Sequence, residues 1–119
     1  MSIIKILTAI VFWAHHAQAQ DTRFFGRCEV SGAYGQGCVE FYDGSWTESQ
    51  MIQICQSVAA RKSSIEINAE SKCLRDNFAS LCVSQQLFSR ALIYIDHMDR
   101  FSCQALLNGK LYQRPTVGW

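Results

Sequence analysis

His97 is the one histidine beyond the first nineteen residues, and it stands between Asp96 and Asp99. A histidine beside a carboxylate is the smallest set that can act as a general base: the imidazole takes a proton from water and the carboxylate orients the ring. His97 with Asp99 is therefore the catalytic candidate of this chain, with Asp96 as the adjoining carboxylate. The same residues have a structural alternative at a helix start, where Asp96 and Asp99 complement the positive end of the helix dipole. Serine chemistry finds no support, because there is no G-x-S-x-G turn to present a nucleophile to His97. Glu66 with Glu70 and Asp43 with Glu48 are carboxylate pairs, but acid–base work needs such groups set across a cleft, and spacing along the chain does not supply that. Solvated surface is their default.

Six cysteines, Cys28, Cys38, Cys55, Cys73, Cys82 and Cys103, are spread along the chain with no C-x-x-C among them. Zinc and dithiol redox sites bring two thiolates together through a short turn, so no metal and no cofactor is expected, and three structural disulfides are. Disulfides imply an oxidising compartment. Residues 1–19 read as a signal peptide: Lys5, an apolar run from Ile6 to Ala14, and Ala17-Gln18-Ala19 as a small-x-small cleavage site. His15 and His16 fall inside that discarded segment. The apolar run is about half the ~20 residues a membrane span needs, so no stable membrane insertion is expected. The chain is read as secreted or periplasmic after cleavage near Ala19.

What remains is an N-terminal tail over 20–26 and a single six-cysteine domain over 27–119. A domain of roughly 100 residues buries too little surface for a second lobe around a large internal cleft. Its composition, 49% hydrophobic and 18% charged, is that of a chain that folds. Lys5 is the only charged residue of the signal, so the remaining basic and acidic residues balance. Arg23, Arg27, Arg61, Lys62, Lys72 and Arg75 are interleaved with acids, and no nucleic-acid footprint results.

Arg27 to Ser31 and Cys38 to Tyr42 are β-compatible runs around Gly32, Gly35 and Gly37, which reads as a hairpin. Thr47 and Gln50 have capping-box spacing and open a helix expected over 48–60, whose Met51, Ile52, Cys55, Val58 and Ala59 form one buried stripe. Ile65 to Ile67 reads as a short strand. Segment 84–108 has two readings, one long helix or a strand at Leu92 to Ile95 followed by a helix from His97 to Leu107 capped by Asp96, and the second is preferred on propensity. Asn108-Gly109 stops that helix with the glycine in the left-handed region, and Leu111 to Gln113 is a last strand. The fold class is α+β: a small disulfide-stapled domain with two short helices on a small antiparallel sheet.

The cysteine order also repeats. Cys28 and Cys38 are followed by Val39, Trp46 and Cys55; Cys73 and Cys82 are followed by Val83, Tyr94 and Cys103, the aromatic residue standing equally far before the last cysteine in both halves. These offsets favour two ββα units. If the halves are related, matched bridges Cys38–Cys55 and Cys82–Cys103 follow, leaving Cys28–Cys73 to join them. Other pairings, Cys28–Cys38 across the hairpin among them, stay open.

The run Cys38-Val39-Glu40-Phe41-Tyr42-Asp43-Gly44-Ser45-Trp46, followed by a helical cysteine, resembles small exported bacterial cysteine-rich domains of unassigned function, which implies a fold but no activity. Tyr34-Gly35-Gln36-Gly37-Cys38 resembles the glycine-rich calcium loop of secreted phospholipases A2. That resemblance implies a water-activating role for His97 with a loop of carbonyls around calcium. The chain departs from that family in carrying Met98 directly after His97, and in placing the loop far upstream of it.

By elimination, the sequence reads as an exported binding or interaction module for a protein or envelope component. Tyr34, Tyr42, Trp46 and Tyr112 are its candidate interaction residues, since tyrosine and tryptophan dominate interface hot spots. The alternatives are a small secreted hydrolase using His97, and an inhibitor or toxin presenting a rigid loop over 33–36.

Overall fold

The structure is a computed structural model that describes residues 23–59, 65–86 and 88–115. The segment read as a signal peptide with its cleavage site, and residues 60–64, lie outside the described residues. The chain runs β1 (Phe24–Gly32), β2 (Gly35–Tyr42), α1 (Glu48–Ala59), β3 (Ser80–Gln85), β4 (Arg90–Ile95), α2 (Arg100–Leu107) and β5 (Gly109–Gln113). All five strands form one antiparallel sheet in the order β1-β2-β4-β3-β5. The fold is thus α+β, with ββα occurring twice before a closing strand. β1 begins at Phe24, inside the stretch the sequence presents as a tail.

Strand alternation separates two faces. Val39 and Phe41 of β2, Ala91, Ile93 and Ile95 of β4, and Cys28, Val30 and Cys82 of β1 and β3 face the helices. There they bury against Met51, Cys55, Val58, Cys103 and Leu107. Phe41, Ile93 and Ile95 are fully buried, each contributing about 1.5–3 kcal/mol of transfer free energy. On the opposite, outer face, Cys38 and Tyr94 pack with Cys73 and with Phe78, Leu81 and Leu92.

Helix ends follow their local chemistry. Thr47 and Gln50 form the reciprocal capping box: Gln50 N–H donates to Thr47 Oγ1 (3.2 Å) and Thr47 N–H to Gln50 Oε1 (3.0 Å). The preferred strand-then-helix reading of 84–108 holds, but the helix starts at Arg100 rather than His97. Asp99, not Asp96, is the N-cap, accepting from Ser102 N–H at 2.6 Å. Asn108 itself takes the left-handed conformation (φ 49°). Gly109 serves a different need: a Cβ there would lie 2.6 Å from Cys82 Sγ and 3.0 Å from Cys103 Sγ, so the strand passes directly over a disulfide.

Three disulfides close the domain: Cys28–Cys55, Cys38–Cys73 and Cys82–Cys103. The third is the expected pair, whereas Cys38–Cys55 and Cys28–Cys73 are replaced by the other combination. The reason is parity. Cys28 lies directly opposite Val39 and shares its helix-facing side, so Cys28 meets Cys55. Cys38 is one residue out of phase and points to the outer face, where Cys73 waits.

Cys73 belongs to a strap over 65–79. Ile65 and Ile67 pack on the helix-side core, and the backbone then rounds the edge of β1 through one bridge, Arg27 with Asn68, before crossing the outer face. Ile65 to Ile67 is therefore not a strand. The strap reaches past Cys73 into a single 3₁₀ turn, Arg75–Asn77.

Candidate functional site

His97 sits at the tip of the first hairpin, exposed, with its backbone N–H donating to Tyr34 O at 3.2 Å. Its ring lies where a side chain on Gly35 (φ 82°) would be, 3.1 Å from the would-be Cβ. Asp96 Oδ2 accepts from Gln36 N–H (3.1 Å), and Asp96 N–H donates to Gln36 O (3.2 Å). Asp99 caps α2, and the Ser102 hydrogen bonds hold its carboxyl below the usual range. Both carboxylates beside His97 are thus committed to backbone, one pinning a hairpin and the other opening a helix.

The same contacts decide the calcium-loop reading. Tyr34 and Gln36 direct their carbonyls to His97 N–H and Asp96 N–H, and Gly35 to Cys38 are part of β2. The stretch over 33–36 is a two-residue turn and the start of a strand, pinned to the β4–α2 connection.

The four candidate aromatics do not gather into one patch. Tyr34 and Trp46 pack on the helix-side core. Trp46 Nε1–H donates to Tyr42 O (3.0 Å), and its ring meets Phe41 edge-on at 4.9 Å. Tyr42 is buried on the outer face against Phe24 (5.6 Å), with Arg90 and Lys72 over its ring. Tyr112 is 44% exposed on β5, opposite Leu81.

The densest electrostatic feature is one that sequence reading passed over. Glu40 is 0% exposed in the middle of β2. Its Oε1 accepts from Arg75 Nη2 (2.9 Å) and the Tyr42 hydroxyl (3.1 Å), while Oε2 accepts from Cys73 N–H (2.8 Å) and Arg75 Nε (3.4 Å). Both oxygens are therefore engaged by the strap and by Tyr42, which makes this carboxylate a fastening and not a base. Arg75 also stacks over Tyr94 at 5.6 Å. Hydrogen bonding to Glu40 raises the Arg75 pKa, and burial pushes Tyr94 up to about 12 and raises Tyr42. The available signal was Glu40 itself, a charge between the apolar Val39 and Phe41 on a strand buried on both faces.

Among the described residues, no three His, Cys, Asp or Glu side chains converge as a metal-holding group, and no helix is long and apolar enough to cross a membrane. Comparison with protein-family models, with curated proteins and with solved structures finds no match.

Proposed function

We propose that this chain is a non-catalytic binding module of an oxidising compartment, reached by export and removal of residues 1–19, and that its partner is a protein or an envelope component. The observation that carries this reading is that Asp96 and Asp99 each spend a carboxylate oxygen on a backbone N–H group and neither is hydrogen-bonded to the exposed His97 ring, which no carboxylate therefore orients. Three disulfides support the compartment and give a scaffold whose surface is held rigid, the condition under which binding loses least to ordering.

The hydrolase alternative is tested by comparing the oxidised protein and His97→Ala on phosphatidylcholine vesicles with calcium and on p-nitrophenyl esters. The expected result is background turnover from both proteins. Turnover well above background that His97→Ala abolishes would overturn the non-catalytic reading.

A further inference from the structure

We propose that the hollow between the β2–α1 turn, α1 and the β3–β4 connection is a site for a neutral sugar, the end of an oligosaccharide. The proposal rests on the binding-module reading and gives that module a ligand class.

The hollow has a volume of about 340 Å³, at the lower end of the ~300–1,000 Å³ typical of small-ligand sites. Its lining carries no charge. Trp46 and Ile54 provide apolar surface, three glutamines (Gln50, Gln53 and Gln86) provide amides, and the remaining positions are serines. Three other hollows among the described residues are charged, one by Arg27, Glu29, Glu66 and Glu70, another by Glu29 and Asp96, and a third by Arg75 and Asp76.

That lining selects by exclusion and by fit. An ionic ligand entering here would lose water without meeting an opposite charge, and a purely apolar one would leave the amides unpaired. A sugar ring has an apolar C–H face and a rim of hydroxyls that both donate and accept, matching an indole beside amides and hydroxyls.

Trp46, Gln50 and Ser57 are also held in place. The Trp46 ring is fixed by its hydrogen bond to Tyr42 O and its edge contact with Phe41. Gln50 has its Oε1 taken by Thr47 N–H (3.0 Å), which leaves its amide hydrogens to donate. Ser57 donates to Gln53 O (3.0 Å), which leaves its lone pairs to accept. The Gln53 and Gln86 side-chain amides have no protein partner among the described residues. Gly44 (φ 63°) lets the β2–α1 turn pack closely against Phe88 O and Ser89 Oγ, and within the other wall Gln86 N–H donates to Ser89 O (2.8 Å). Preorganised donors and a rigid ring reduce the ordering cost of binding.

The test is a ¹H–¹⁵N NMR titration of the oxidised protein with maltotriose, cellotriose and triacetylchitotriose in turn. At least one sugar is expected to give saturable shifts at the Trp46 indole N–H and at the side-chain amides of Gln50, Gln53 and Gln86. Gln53→Glu changes an exposed side chain without touching the core, and is expected to weaken that binding about tenfold or more. Absence of saturable shifts with all three sugars, shifts confined to another face, or undiminished binding by folded Gln53→Glu would each overturn the proposal. Binding of a neutral Gln/Ser peptide but of no sugar would do the same. The vesicle and ester assay is independent of this titration, so a wrong ligand class and a wrong non-catalytic reading are told apart.

Discussion

Val39 lies directly opposite Ile93 at the junction of the two hairpins, and the chain offset that carries Val39 onto Ile93 also carries Cys28 onto Cys82. The same offset carries Phe41 onto Ile95 and Val30 onto Ser84, all of them buried. The two hairpins are thus related by an approximate twofold passing through the Val39–Ile93 pair. Each helix is tied by its cysteine to the first strand of its own hairpin. α1 has about one more turn before its cysteine than α2 has, which is why the helices do not share the offset. The outer face breaks the relationship: Cys38 and Glu40 correspond to Leu92 and Tyr94, and only the first pair fastens a strap.

Removing one partner from the buried ion pair should be costly. Arg75→Ala leaves Glu40 fully buried with only Cys73 N–H and the Tyr42 hydroxyl. The Arg75 side chain is 36% exposed, so the expected destabilisation is about 2–3 kcal/mol, below the ~3–5 seen when a fully buried pair is broken. Urea unfolding measures it, and a change within about 0.5 kcal/mol, the range of ordinary surface substitutions, would contradict the role given to this pair.

Cys38–Cys73 holds the strap and neither helix. Replacing both cysteines by alanine is expected to cost about 2–4 kcal/mol and to open 65–79 to trypsin at Lys72 and Arg75, while far-ultraviolet circular dichroism stays that of the intact sheet. Cleavage no faster than in the parent protein would show that Glu40 fastens the strap alone.

Tyr94 makes the fold sensitive to alkali. Its ordinary value is 10.0 and burial raises it to about 12 in the folded protein. Between those values the unfolded chain loses the proton and the folded one keeps it, so this contribution is complete below pH 10 and is lost as pH rises towards 12. Tyrosinate absorbance should show late titration that Tyr94→Phe reduces, leaving the smaller part that belongs to Tyr42. Titration of all tyrosines together near pH 10 in the folded protein would contradict it.

Gly109 is required for room and not for a left-handed backbone. Gly109→Ala places a methyl against Cys82 Sγ, and overpacking of this kind costs about 1–3 kcal/mol. Asn108→Gly should be tolerated, because glycine also adopts the positive φ found there. Thermal melts of the two variants should differ in that order.

The fold was legible where one local rule acted alone. Thr47 and Gln50 marked the start of α1, and the β-rich run ending at Ile95 separated β4 from α2. The disulfides were harder, because β2 is buried on both faces and Cys38 to Tyr42 gives no apolar/polar alternation to show that Cys38 and Val39 point opposite ways. That burial comes from the strap, whose own residues carry little periodicity. Asp96 and Asp99 both had the chemistry of a cap, and only the backbone position of Ser102 decides between them. The hollow beside Trp46 brings together three separate segments of serine and glutamine that are unremarkable in sequence.

Disulfide mapping of the oxidised protein, by mass spectrometry of peptides cut without reduction, tests the central arrangement most directly. The structure predicts linked peptides for Cys28–Cys55, Cys38–Cys73 and Cys82–Cys103, with no free thiol. Linkage of Cys38 to Cys55 would contradict the strap over Glu40, and free thiols in the protein recovered from its native compartment would contradict the proposed oxidising setting.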